Sequence, residues 1–236
     1  MNHRFKRYLI SIVSHGQSAL VRELLFSIDS YMLDDPSEVL ICITNNIPAE
    51  EIFNSKFEVF TIDNLNPRGF GDNHNAVFER FGSDLFVIVN PDIVLVEQFC
   101  LAKFRALMAL SGISLTSPVI LNARGEIEDY KRMDVTPYNL MRRWVFNIDE
   151  KKFFGWYAGM FMIVTSESFK DVCGFSPKFY LYVEDCDFCM RLTAKGRKLG
   201  DVAEVYVRHD ARRLSRKSLR SFWWHLKSLL IYWGCR

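Results

Sequence analysis

The sequence holds no apolar run of some eighteen residues, so no segment reads as a helix that crosses a bilayer. It has no internal repeat and no low-complexity tract, which excludes a solenoid or a disordered array. No Gly-Lys-Ser or Gly-Lys-Thr follows its one Gly-x-Gly turn, Gly69-Phe70-Gly71, so that turn is not a P-loop. The six cysteines are scattered, and the C-x-x-C spacing of Cys186 and Cys189 has no second pair to complete a zinc site. Buried thiols in a reducing cytoplasm are the better reading. A charge excess is missing too, since the net is +2. The basic start, Met1 to Arg7, precedes an apolar run too short for a signal peptide, and that run reads as a first strand.

What is present is ordinary globular material: 236 residues, 49% hydrophobic and 25% charged, enough for one well-buried core or two small ones sharing a sheet. Residues 8–14, 39–44, 57–63 and 85–89 read as strands, with helical spacing over 18–31 and a helix from the glycine turn to about Phe81. Such alternation predicts an α/β fold with a mostly parallel sheet covered on both faces. The second half is less regular. Residues 113–120 and 127–130 flank a hairpin turn at Asn122-Ala123-Arg124-Gly125, and 131–152 reads as a variable connection. A strand over 161–164 leads to a helix capped by Ser166. A second helix covers 184–195, and a strand over 202–207 ends at Arg208-His209.

Ligands of open parallel sheets sit beyond the carboxyl ends of the strands. Here those ends are polar: Ser14-His15, Asn45-Asn46, Asp63-Asn64 and Asn90-Pro91-Asp92. Together they offer acceptors for a base and ribose and donors for phosphate. Gly69 and Gly71 would let a backbone approach a ligand at a helix N-terminus, or merely form a tight turn and cap. Asp92, emitted by a buried strand, suits a hard divalent cation, Mg²⁺ or Mn²⁺, and reads equally well as a cap of a helix near Glu97. Glu184 and Asp185 follow an aromatic stretch, where a carboxylate is partly desolvated as a general base requires. Asp187 and Arg191 have the spacing of a structural ion pair. His209, at a strand end, is a metal or phosphate candidate.

In order, these segments resemble the family-two inverting glycosyltransferases, in particular a bacterial rhamnosyltransferase-like branch that acts in surface polysaccharide synthesis. The resemblance is carried by residues 12–17, by Asn66 to Asn75 with Gly69-Phe70-Gly71, and by Asn90-Pro91-Asp92 as an Asp-x-Asp variant. Residues 158–175 and the Glu184-Asp185-Cys186-Asp187 helix complete it. It implies a GT-A fold, a Rossmann-like catalytic domain over 1–210, with nucleotide-sugar binding in 1–92 and acceptor binding in 93–210. Ser14, Asn45, Asp63, Asn66, Gly69, Gly71, Asn75 and Asn90 would bind a dTDP- or UDP-sugar, with rhamnose from dTDP-rhamnose the expected donor. Asp92 and His209 would hold the metal, Asp185 would be the base, and Glu184 would orient the acceptor. Trp156, Tyr157 and Gly159 would contact that acceptor, a lipid-linked saccharide of O-antigen type. Asn45-Asn46 stands where many members carry acids, and Asn90 removes one charge from the metal motif.

Residues 211–236 form a basic tail. If 216–233 is helical, Leu219, Phe222, Trp223, Leu226, Leu229, Leu230 and Trp233 share one arc, flanked by Arg216, Arg220 and Lys227. Such a face lies on an anionic membrane surface or packs on the domain; nucleic acid would not need so much Leu and Trp. The expectation is a cytoplasmic protein held peripherally at the inner face of the cell membrane. The other functional readings are a sugar nucleotidyltransferase, which would need a basic triphosphate loop near Ser14, and a non-catalytic membrane-associated nucleotide-sugar-binding protein.

Overall fold

The computed structural model describes residues 6–48, 53–136, 155–209 and 219–234. Its centre is set by three strands whose residues are buried at every position, β1 (Tyr8–Ser14), β2 (Val39–Asn45) and β4 (Leu85–Val89). Continuous apolar strands belong where both faces of a sheet are covered. β1 pairs in parallel with β2 on one side and β4 on the other, and the more exposed β3 (Glu58–Asp63) closes that edge. Beyond β4 lie β10 (Phe161–Thr165), β6 (Ile113–Thr116) and β11 (Lys198–Leu199), giving the order β11-β6-β10-β4-β1-β2-β3. Only β10 runs against the rest. The chain steps outward from β1 through β2 to β3, then returns to the other side of β1 as β4. The carboxyl ends of β1 and β4 therefore flank the switch point of the sheet.

Helices α1 (Ser18–Tyr31) and α2 (Phe70–Phe81) fall where the sequence pattern puts them. A helix near Glu97 does not form: β5 (Ile93–Leu95) occupies that stretch, and α3 (Leu101–Ser111) begins later. Its first two N–H groups donate to Asp34, Leu101 N to Oδ2 at 2.7 Å and Ala102 N to Oδ1 at 2.8 Å. A carboxylate from outside the helix thus satisfies the orphan donors, and Asp92 is not a cap.

The predicted strand over 113–120 splits at Ser117-Pro118. Its first half is β6; its second, β7 (Val119–Leu121), joins β5 and β12 (Tyr206–His209) in a separate sheet of order β5-β12-β7. Proline cannot donate to a ladder, so the chain changes sheets there. The Asn122–Gly125 turn forms, with Gly125 at φ 79°, but its return arm makes only a Leu121–Ile127 bridge. The last strand starts at Tyr206, so His209 is its final residue instead of following it. Thr165, not Ser166, caps α4 (Ser166–Asp171), accepting from Ser168 N.

β8 (Lys131–Arg132) pairs with β9 (Trp156–Tyr157), and α5 (Glu184–Ala194) follows. The Asp187–Arg191 ion pair is present at 2.7 Å. Most of the expected 131–152 connection lies outside the described residues. All five described cysteines are free, and burial pushes the Cys186 thiol up to about 12. Helix α6 (Leu219–Gly234) docks on the body through buried Ser228, Leu229 and Tyr232. Ser228 Oγ donates to Leu181 O at 2.9 Å, and Trp233 Nε1 donates to Val135 O at 2.8 Å. The expected single apolar arc is therefore divided: Leu229 faces the body, while Trp223 and Leu230 are 64% and 60% exposed. The side chains of Arg216, Leu219, Arg220 and Phe222 lie outside the described residues. No described helix is long and apolar enough to cross a membrane.

An aromatic cluster joins the two halves. Phe78 of α2, Phe86 of β4, Phe169 of α4, Phe175, and Phe188 of α5 pack with ring centroids 4.6–6.0 Å apart. His74 of α2 completes it; burial drives its imidazole down to about 3, so it is a neutral core ring bonded to Ser11 Oγ at 2.8 Å.

Candidate active site

The antiparallel pairing of β12 with β5 sets His209 opposite Ile93, the residue after Asp92. The imidazole Nε2 lies 3.1 Å from Asp92 Oδ2. On the far side, Nδ1 lies 2.6 Å from Glu128 Oε2. Burial alone would lower the imidazole's pKa, but hydrogen bonds and charge from Asp92 and Glu128 prevail and push it up to about 8. The other Asp92 oxygen, Oδ1, is buried with no hydrogen-bond partner. A buried carboxylate oxygen left unpaired costs free energy unless some group completes it. A hard divalent cation takes such oxygens together with imidazole nitrogen, so this pair fits one. Among the described residues, no group of three or more His, Cys, Asp or Glu side chains converges as a metal cluster.

Asp185 stands at the start of α5, entered through Tyr182 and Val183 at φ 71° and 70°. Left-handed backbone is costly for a β-branched residue, so this strained corner is held by its surroundings. Asp185 Oδ2 accepts from Gly159 N and Oδ1 from Cys186 N, both at 2.9 Å, while the side chain keeps partial exposure. Burial raises its pKa; the two N–H groups and the Arg132 charge oppose this. Glu184 points inward, 5% exposed, with Oε2 lacking a partner. Burial and then the charge of Asp185 push its carboxyl well above the usual range, which favours the protonated form of Glu184. The two halves of the site are linked through adjacent residues. Asn90 N donates to Met160 O at 2.9 Å, and Gly159 N donates to Asp185.

The glycines meet a packing demand within the protein. A Cβ on Gly69 would sit 2.7 Å from the Tyr180 carbonyl oxygen, and one on Gly71 would sit 2.5 Å from Phe175 Cβ. The close approach they permit is to protein, across the two halves. Asn75 spends its amide on the same seam, bonded to Phe175 N and O, both at 2.8 Å. Tyr157 is wholly buried and donates to Asp201 at 2.7 Å, and Trp156 is 5% exposed and donates to Met133 O. Neither side chain presents a surface to an acceptor, unlike the Gly159 backbone. Ser14 is buried and accepts from Gln17 N. Asn45 donates to the exposed Asp63 at 2.8 Å, and Asn66 is exposed.

Two features escaped the sequence. One is a buried amide cluster: Asn46 Oδ1 accepts from Asn64, Asn73 and Arg68 N, while its Nδ2 reaches His15 and Arg68 O. It pins the residue 66–69 turn to the strand ends. The other is Glu128, which stands beside Asp129 in the short arm 127–130, so nothing local set it apart.

This strand order is that of the GT-A glycosyltransferase fold, and in sequence the chain is similar to a rhamnosyltransferase. No protein-family profile matches the chain. The chain is 26% identical to rhamnosyltransferase WbbL of Escherichia coli (strain K12) over 247 aligned residues, 94% of this chain and 91% of that protein. Among solved structures it is similar to GalNAc-T7 with UDP, GalNAc and Mn²⁺, with TM-score 0.65 and 15% identity over 88% of the chain. It is also similar to the mannosyltransferase PcManGT of Pyrobaculum calidifontis in complex with GDP-Man and Mn²⁺, with TM-score 0.61 and 12% identity over 90% of the chain. TarS of S. aureus gives TM-score 0.63 and 11% identity over 87%. The chain spans 44%, 59% and 37% of those three, so they share its fold only in part of their length.

Proposed function

We propose that this glycosyltransferase moves a deoxyhexose, rhamnose in the first instance, from a dTDP- or UDP-sugar to a lipid-linked saccharide with inversion. The observation that carries this is the pair of bonds through Met160 and Gly159, which couples the Asp92 strand end to the Asp185 helix. Asp185, partly exposed and with two backbone N–H groups that favour its charged form, takes the proton from an acceptor hydroxyl. That oxygen then attacks the anomeric carbon on the face opposite the nucleoside diphosphate, which inverts the centre. Asp92 and His209 would hold Mg²⁺ or Mn²⁺, and the ion's chemistry is to neutralise the departing diphosphate. The Mn²⁺ complexes of GalNAc-T7 and PcManGT, and the nucleotide sugars named with PcManGT and with TarS, support this reading. Glu184, protonated and buried, keeps the second charge away from Asp185. The outward face of α6, with Trp223, Lys227 and Leu230 at i, i+4 and i+7, supports contact with an anionic membrane where the acceptor lipid resides.

The test is thermal denaturation with nucleoside diphosphates and nucleotide sugars, with and without Mn²⁺, on wild type and Asp92→Ala. A ligand at a hundred times its Kd stabilises by about 2.7 kcal/mol. For a chain of this size that corresponds to roughly 5–11 °C. The shift should require Mn²⁺ and be lost in Asp92→Ala. Wild-type protein unmoved by every nucleotide with Mn²⁺ would overturn the reading.

A further inference from the structure

We propose that Glu128 is a positioning residue that fixes the His209 tautomer competent for metal binding. This rests on the assignment of Asp92 and His209 as the metal ligands. The ring of His209 is nearly buried, 9% exposed, and each nitrogen faces one carboxylate. A neutral imidazole has one N–H, and only the bare nitrogen can bind a cation. At 2.6 Å, Glu128 Oε2 is the acceptor that draws the proton to Nδ1. The Nε2 lone pair is then directed toward Asp92, whose Oδ1 is the buried oxygen without a partner.

Glu128 stands behind the ring, with the imidazole between it and Asp92. It is not a third ligand, since no three-residue metal cluster is found among the described residues. Its backbone is itself fixed: Glu128 N donates to Ile120 O at 2.8 Å, in the strand paired alongside β12. One small sheet therefore supplies all three members of the chain, Asp92 just before β5, His209 at the end of β12, and Glu128 beside β7. A carboxylate behind a ligating histidine orients the ring and raises its basicity, and losing such a partner weakens metal binding by about ten- to a hundredfold.

The experiment compares wild type, Glu128→Ala and Glu128→Gln by three readouts. They are Mn²⁺ affinity by electron paramagnetic resonance in the presence of the nucleoside diphosphate that binds, the ¹⁵N shifts of His209 in metal-free protein above its titration, and metal-free melting temperature. Wild type should show the Nδ1–H tautomer. Glu128→Ala should bind Mn²⁺ about ten- to a hundredfold more weakly and populate the Nε2–H form. Glu128→Gln, which keeps an acceptor oxygen, should recover part of both. Wild-type Mn²⁺ affinity and tautomer in Glu128→Ala would overturn the role of Glu128 and leave the metal site standing. A metal-free melting temperature that falls in both variants in step with Mn²⁺ affinity, with no tautomer change, would make Glu128 merely structural. Absence of Mn²⁺ binding by wild type would overturn the metal reading and this role with it.

Discussion

Replacing Asp185 by Asn is the sharpest test of the chemistry, because the change is nearly isosteric and removes only the ability to take a proton. In the folded protein the two Asp185 oxygens each accept one backbone N–H, from Gly159 and from Cys186. Asparagine has one acceptor oxygen, so one N–H is left facing an NH₂ group; the loss is about 1–3 kcal/mol. Removing a desolvated charge acts in the opposite direction, since burial is the leading influence on this carboxyl. The net change in stability is therefore expected to stay within about 2 kcal/mol. The effect on rate is larger. Loss of a positioned general base costs about 10²–10⁴ in kcat, or roughly 3–5 kcal/mol of barrier. Donor affinity should hold, because Asp92 with His209 is untouched. The assay is release of nucleoside diphosphate from the nucleotide sugar that binds, with and without acceptor, alongside donor titration by calorimetry. A variant with kcat within about tenfold of wild type would refute the base assignment.

Glu184→Gln should flatten the pH dependence of stability. The folded-state pKa of Glu184 is raised, so its contribution is fully present below the ordinary glutamate value and is lost as pH rises through the raised one. The variant should gain on wild type in urea denaturation as pH rises above the ordinary glutamate range, and parallel profiles would refute the protonated assignment. Trp223→Ser with Leu230→Ser should lower partition onto anionic vesicles by at least about tenfold, since each inserted side chain is worth about 1.5 kcal/mol or more. Nucleotide binding should be unchanged, and equal vesicle binding would remove the membrane role.

The central sheet was legible because its strands announce themselves. Continuous apolar runs end in polar residues, and the helices between them keep a 3.6-residue period. The desolvated setting of Asp185 was legible for a similar local reason, a carboxylate placed straight after aromatic residues. The fate of Asp92 was not. A strand-end aspartate before a short segment is locally the same whether it caps a helix or waits for an ion. The cap reading was excluded by Asp34, more than fifty residues away, which takes the α3 N-terminus itself.

The glycine turn shows the same division. Sequence requires that something approach Gly69 and Gly71 closely, but not what, and the partners Tyr180 and Phe175 lie about a hundred residues further on. The break at Ser117-Pro118 was also underread, and with it the second sheet that carries His209 to Asp92 and Glu128 behind it. By itself the sequence determined the strands β1 to β4, the helices α1 and α2, and the residue types able to do the chemistry, because periodicity and turn preference are properties of neighbours along the chain. Which carboxylate meets which histidine, and which buried oxygen is left unpaired, was decided only by tertiary structure, because hydrogen bonding and desolvation depend on groups brought together from distant parts of the sequence.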